Sequence, residues 1–246
     1  MALAPPRCCT GGVTELDARR AEMLERHLAR RGITDALVLG AMAAVPREEF
    51  VSPALRADAY ADHPLPIGDG QTISQPYIVA LMVQAARVRA GSRVLEVGTG
   101  SGYAAAVLAA IAAEVWSIER MPLLAARAGE LLARLGYANA HVRQADGTLG
   151  LIEHAPYDAI IVSAAGPSIP EALRAQLAPA GRLVLPVESP SGWQRLLVLH
   201  RPGDAGAVAA GREDAGWELE SLGGVRFVPL IGEQGWQPNG TQPGSP

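Results

Sequence analysis

The chain has little cysteine: two residues in 246, and they are adjacent, Cys8 and Cys9. Neighbouring thiols cannot build a disulfide framework and lack the paired spacing of a zinc site, which argues against a metal centre and for a reducing compartment. No segment approaches the roughly 18 consecutive apolar residues of a membrane span, and Pro5, Pro6 and Arg7 interrupt any leader-like run at the start. A cytoplasmic protein with no membrane partner is expected. Lys and Arg form no run and the formal net charge is −4, so the electrostatic footprint of a nucleic-acid binder is missing. Internal repeats and low-complexity linkers are absent from the middle of the chain. A single domain over 14–236 is therefore expected, as a monomer, with a disordered tail at 1–13 and a flexible one at 237–246, both rich in Pro, Gly and Thr.

What remains is ample material for a core, with 49% apolar and 19% charged residues. Leu16, Met23, Leu24 and Leu28 recur at helical spacing between Thr14 and Arg31, and Gly32 supplies a stop. Thr34 is expected to cap a second helix through Val45, and Ser52-Pro53 to open a short third before a loop at Pro64 to Gly70. From Arg93 onward short apolar runs alternate with helical stretches, the pattern of parallel βαβ units. Strands are expected near 93–97, 115–118, 141–143, 159–163 and 182–186, with helices at 103–112, 122–135 and 170–177. Two further strands, 196–200 and 225–230, follow without a clear intervening helix and suit antiparallel pairing at a sheet edge. The expected fold is α/β: a doubly wound, mostly parallel, Rossmann-like sheet with N-terminal helices and antiparallel C-terminal edge strands.

Three constellations carry chemistry. In Gly70-Gln71-Thr72-Ile73-Ser74-Gln75-Pro76-Tyr77, Ser74 reads as an N-cap and Pro76 as the first helical turn, so Thr72 and Ser74 either cap a helix or hold an anion at its start. Taken alone, the cap is the simpler reading. The run Val94-Leu95-Glu96-Val97-Gly98-Thr99-Gly100-Ser101-Gly102-Tyr103 is a buried strand feeding a glycine turn, where Gly98, Thr99, Gly100 and Gly102 let backbone approach a ligand. Tyr103 stands where a dinucleotide fingerprint needs its third glycine, and Glu96 would repel a pyrophosphate, so NAD is disfavoured. A cofactor with a cationic amino-acid tail fits better. Glu119 ends the next strand and is placed to accept two ribose hydroxyls; Asp146-Gly147 follows the third, where it could meet an adenine amino group or form an ordinary turn. None of His27, His63, His141, His154 and His200 is placed to act as a base.

These features resemble the class I S-adenosyl-L-methionine-dependent methyltransferases, and more narrowly the protein-L-isoaspartate O-methyltransferase family. That family's bacterial members carry PLPIGxGQTISQPYIVAxM, matched from Pro64 to Met82, and VLEVGTGSGY, matched from Val94 to Tyr103. Later blocks match at 157–162, 169–177, 181–187 and 225–236, so the resemblance spans roughly Glu15 to Trp236. It implies methyl transfer from S-adenosyl-L-methionine, leaving S-adenosyl-L-homocysteine, to the free α-carboxylate of L-isoaspartyl residues in damaged proteins and peptides, without a metal. It further implies Ser74 as the active-site residue with Thr72 beside it, and a part for 225–230 in forming the site. Ala145 and Glu188 stand where the family has or often has glycine, and Ser163 replaces a frequent threonine; these touch local geometry. A related methyltransferase with one dedicated peptide substrate would keep every motif, whereas a non-catalytic binding protein would be expected to have lost part of the acidic set.

Overall fold

A reciprocal cap starts the chain's first helix: the Thr14 hydroxyl accepts from the Asp17 N–H and the Asp17 carboxylate accepts from the Thr14 N–H, opening α1 (Glu15–Glu22). The computed structural model describes residues 14–189, 191–203 and 216–238. Cys8, Cys9, the tail expected at 1–13 and most of that expected at 237–246 lie outside the described residues. After α1 the helix widens over Met23–Leu28, burying both of those residues, tightens over Ala29–Arg31 and stops at Gly32. Helix α2 (Ala36–Ala44) is capped by Asp35, whose carboxylate accepts from the Leu37 N–H. Thr34 was the expected cap; instead its N–H and that of Asp35 both donate to the Gln84 side chain, which ties this turn to α3 (Pro76–Ala86).

The expected loop at Pro64 to Gly70 is in fact most of a hairpin, β1 (Leu65–Gly68) with β2 (Gln71–Ile73). Its turn places Asp69 and Gly70 at φ 51° and 71°, the conformation that an Asp-Gly pair favours between antiparallel strands. Thr72 is thereby placed on a strand and Ser74 just beyond it.

Among the described residues seven strands form the main sheet. They are β3 (Arg93–Val97), β4 (Glu114–Glu119), β5 (Ala140–Gln144), β6 (Tyr157–Val162), β7 (Leu177–Glu188), β8 (Gln194–His200) and β9 (Glu218–Val225), in the order β5-β4-β3-β6-β7-β8-β9. The first five run parallel and the last two antiparallel. The expected class is the observed one. Central strands are apolar on both faces because both are covered: Val94, Ala159, Ile161 and Val184 pack toward the N-terminal helices and α4 (Tyr103–Ala109), while Leu95, Ile160, Val162 and Leu183 pack on the other side with Leu173 of α6 (Glu171–Ala175). Helix α5 (Pro122–Arg134) joins the first group through Leu132.

The strand expected at 225–230 is a correction. The edge strand is 218–225, and its residues are almost all exposed, so no buried face marks it in the sequence. Beyond it, residues 226–230 leave the sheet and cross its carboxyl edge, consistent with Pro229 having no N–H for a ladder. Two backbone bonds hold this segment, Ala165 N–H to Val228 O and Leu230 N–H to Ala165 O, both 2.8 Å. The Trp236 indole N–H reaches the same Ala165 carbonyl at 3.0 Å. Trp236→Phe should lower the unfolding free energy by about 0.5–1.5 kcal/mol, since Ala165 O keeps its other donor. Amide exchange at Leu230 should quicken while that at Leu95 in the sheet centre does not; equal change at both would refute local clasping.

Candidate active site

Strand order reverses between β4 and β6 on either side of β3, which opens a crevice at the carboxyl edge. Gly98 and Gly100, at φ 94° and 54°, turn the chain there in a conformation that a side chain would oppose. The turn is fastened to β4: the N–H groups of Gly98 and Thr99 donate to Ile118 O, and that of Gly100 to the Glu119 carboxylate at 2.9 Å. The other Glu119 oxygen accepts from the Met121 N–H at 3.0 Å, which fixes the carboxylate at the cavity rim with lone pairs remaining for hydroxyls.

Glu96 is fully buried. Its Oε2 accepts from the Ser117 hydroxyl, itself bonded to Thr99 Oγ1 at 2.6 Å, while Oε1 lines the buried interior without a partner. Burial pushes this carboxyl up to about 8; the Ser117 bond opposes the rise and the nearby Glu119 charge adds to it. A buried, unpartnered acidic oxygen is an acceptor prepared for a cation, and a cationic amino-acid tail would restore its ionised form.

The same cavity gathers Thr72, Ser74, Glu96, Gly98, Thr99, Gly100, Glu119 and Gly147. Two expected members stand apart. Gly102 caps the start of α4 at φ 88°, a left-handed conformation that a side chain would oppose, so glycine there serves the turn into the helix. Asp146 does not line the cavity: Oδ1 accepts from the Thr148 N–H and hydroxyl, and Oδ2 from the Glu233 N–H at 2.8 Å. Its neighbour Gly147 does line it and has no room for a side chain, a Cβ there falling 2.4 Å from Val97 Cγ1.

Ser74 is not the cap of α3. Gln75 holds that position without a side-chain bond, and Pro76 takes the first helical turn as expected. Among the described residues neither the Thr72 nor the Ser74 hydroxyl has a hydrogen-bond partner in the protein, so both are available to a ligand. Both also line a second, outer cleft of about 730 Å³, together with Ile78, Phe227, Trp193 and Arg226. The inner cavity and the outer cleft share Thr72, Ser74, Ser163 and Val228. In the sequence Ser163 stands out only as a replacement, yet it directly follows the last residue of β6 at the strand-order reversal, the positional signal that marks it. Residues 228–231 roof the inner cavity. Trp193 and Arg226 carry no sequence signal of their own; one is 75% exposed and looks like a surface residue.

Comparison with known proteins points to one family. The family model described as protein-L-isoaspartate(D-aspartate) O-methyltransferase matches residues 18–235. Protein-L-isoaspartate O-methyltransferase 2 of Marinobacter nauticus is 55% identical over 220 residues, 89% of this chain and 95% of the relative. A protein-L-isoaspartate O-methyltransferase of Anaeromyxobacter dehalogenans is 55% identical over 204 residues, 82% of this chain and 93% of its own. A Plasmodium falciparum crystal structure named for the same activity, in complex with S-adenosyl-L-homocysteine, superposes with a TM-score of 0.71 at 27% identity, covering 87% of this chain and 98% of that one.

The Glu96 proton gives a stability test. The folded chain retains a proton up to about pH 8 that an unfolded glutamate has already lost above its ordinary value of 4.5. Protons bound in the folded state therefore exceed those in the unfolded state across that window, and stability falls as pH rises through it. Urea unfolding of the parent and of Glu96→Gln should show the parent losing stability relative to the variant between about pH 5 and pH 8; a pH-independent difference would contradict the assignment.

Proposed function

The chain belongs to the protein-L-isoaspartate O-methyltransferase family, and on that premise we propose how its residues divide the methylation of an L-isoaspartyl α-carboxylate. The observation that carries the reading is the wall common to the two cavities: Thr72 and Ser74 face the inner site and the outer cleft together. S-adenosyl-L-methionine, when bound in the inner cavity, supplies a methyl group on a sulfonium. Glu96 Oε1, buried and unpartnered, would hold its ammonium, and Glu119 its ribose hydroxyls. The glycine turn at Gly98, Thr99 and Gly100 would lie along its tail. Gly147 would flank the adenine, with Asp146 acting from behind by fixing the turn and Gly102 by fixing α4.

On the acceptor side, the Thr72 and Ser74 hydroxyls would donate to the carboxylate and aim one oxygen at the methyl carbon. As that oxygen–carbon bond forms, the carbon–sulfur bond breaks with its electron pair going to sulfur, and both partners lose their charge. A base is unnecessary, because the acceptor is ionised at neutral pH; alignment and partial exclusion of water provide the acceleration. The outer cleft, of a size that takes a short segment of peptide, would hold the residues beside the isoaspartate. The methyl ester then closes to a succinimide with loss of methanol, and hydrolysis returns part of the material to normal aspartate. With this reading go damaged proteins and peptides as partners, a cytoplasmic monomer, and neither nucleic acid nor metal; the net charge of −4 supports the exclusion of nucleic acid.

Ser74→Ala should bind S-adenosyl-L-homocysteine as the parent does and lose roughly ten to a hundredfold in turnover, the worth of a hydrogen bond to a charged group. The assay is transfer of labelled methyl to an isoaspartyl peptide with its normal aspartyl isomer as control. Unchanged turnover would remove Ser74 from the acceptor site, and equal labelling of the two peptides would remove the repair assignment.

A further inference from the structure

Arg47 is fully buried, opening the short turn Arg47–Phe50, and no counter-charge meets it among the described residues. Its Nε donates to Ala59 O at 2.6 Å and its Nη2 to Ser74 O at 2.7 Å, while Nη1 is buried without a partner. The guanidinium carbon lies 4.6 Å from the centre of the Tyr103 ring, the first residue of α4 beyond the glycine turn. No carboxylate among the described residues pairs with it. Nearby Glu48 is engaged instead by Arg20 and Tyr60. Guanidinium groups remain charged in proteins, and a buried charge is ordinarily paired. An unpaired one at this place needs a reason.

We propose that Arg47 is a positioning residue for the acceptor: it fixes the Ser74 turn through the main-chain carbonyl and makes the adjoining site favour a charged carboxylate over a neutral group. This rests on the assignment of Thr72 and Ser74 to the acceptor above. Arg47 bonds the carbonyl of Ser74 and a second carbonyl on the N-terminal segment and lies against the ring that follows the donor turn, so one side chain joins the two halves of the reaction. Its field acts through a protein interior that screens less than water. An anion arriving beside Ser74 supplies the missing counter-charge. Methylation removes that charge from the acceptor, so the attraction that holds the substrate is absent for the ester. Arg47 would thereby favour uptake of the acid and departure of the product without touching either.

The test compares an isoaspartyl peptide with the same peptide carrying a carboxamide at the α-carboxylate, both binding to full-length protein saturated with S-adenosyl-L-homocysteine. In the parent the carboxylate form should bind about tenfold or more tighter. In Arg47→Gln that ratio should collapse to within about threefold, the carboxamide affinity changing less than the carboxylate affinity. Arg47→Lys keeps the charge without the two-carbonyl reach, so its ratio should persist while kcat falls. A purely structural role would lower thermal stability and cofactor-product affinity and leave the ratio alone. The proposal is overturned by a ratio in Arg47→Gln equal to the parent's or, should that variant not fold, by an Arg47→Lys enzyme with parental kcat. A parent that labels no isoaspartyl peptide would instead defeat the functional reading on which the inference stands.

Discussion

Three consecutive backbone N–H groups, those of Gly98, Thr99 and Gly100, are donated to the end of the neighbouring strand, two to Ile118 O and one to the Glu119 side chain. That attachment holds the glycine turn open at the point where the strand order reverses, and the cavity exists because of it. It also means that the carboxylate of Glu119 braces the turn and lines the cavity at once. A change there would loosen the turn and alter the cavity wall together. Roles that look separable along the chain are joined by a few hydrogen bonds at one edge of the sheet.

The site is electrostatically unusual in holding two unsatisfied buried groups of opposite character. Glu96, which lines the inner cavity, keeps a buried oxygen without a partner, and Arg47, bonded to the carbonyl of Ser74, keeps a buried nitrogen without one. In a static protein both are costly. They become reasonable if the two reactants carry the complementary charges, a cationic tail on the donor and an anionic acceptor. The sequence contains no lysine, so all 21 of its basic side chains are arginines. At position 47 this matters physically, because a buried ammonium can shed its proton and a guanidinium does not.

Much of this was legible before any coordinates. The glycine turn and the strand-end acids at 96 and 119 follow from alternation of apolar runs with glycine, which is a local property. The parallel sheet follows from the same pattern. What escaped depends on long-range packing. Edge strand 218–225 is polar, glycine-containing and exposed, so it has no buried face to betray it. Arg47 lies in Val45-Pro46-Arg47-Glu48-Glu49-Phe50, where one charge among three reads as surface; only the tertiary fold buries it. The two readings of Ser74, cap or anion site, stay open in the sequence because Ser-Gln-Pro is what a capped helix start also looks like; the fold removes the cap by giving that position to Gln75. Asp146 was placed correctly at a strand end, but its carboxylate is turned toward the Glu233 N–H of a loop distant in sequence.

That last bond bears on how the molecule is made. Residues 228–231 roof the inner cavity, and the turn after them is clasped by Asp146 and Thr148. The parallel strands can associate during synthesis, yet the cavity has no ceiling until this segment arrives and docks on Ala165. Competence to retain a cofactor therefore waits on this docking, and a chain in which it has not occurred carries the glycine turn and its acids without an enclosed site to go with them.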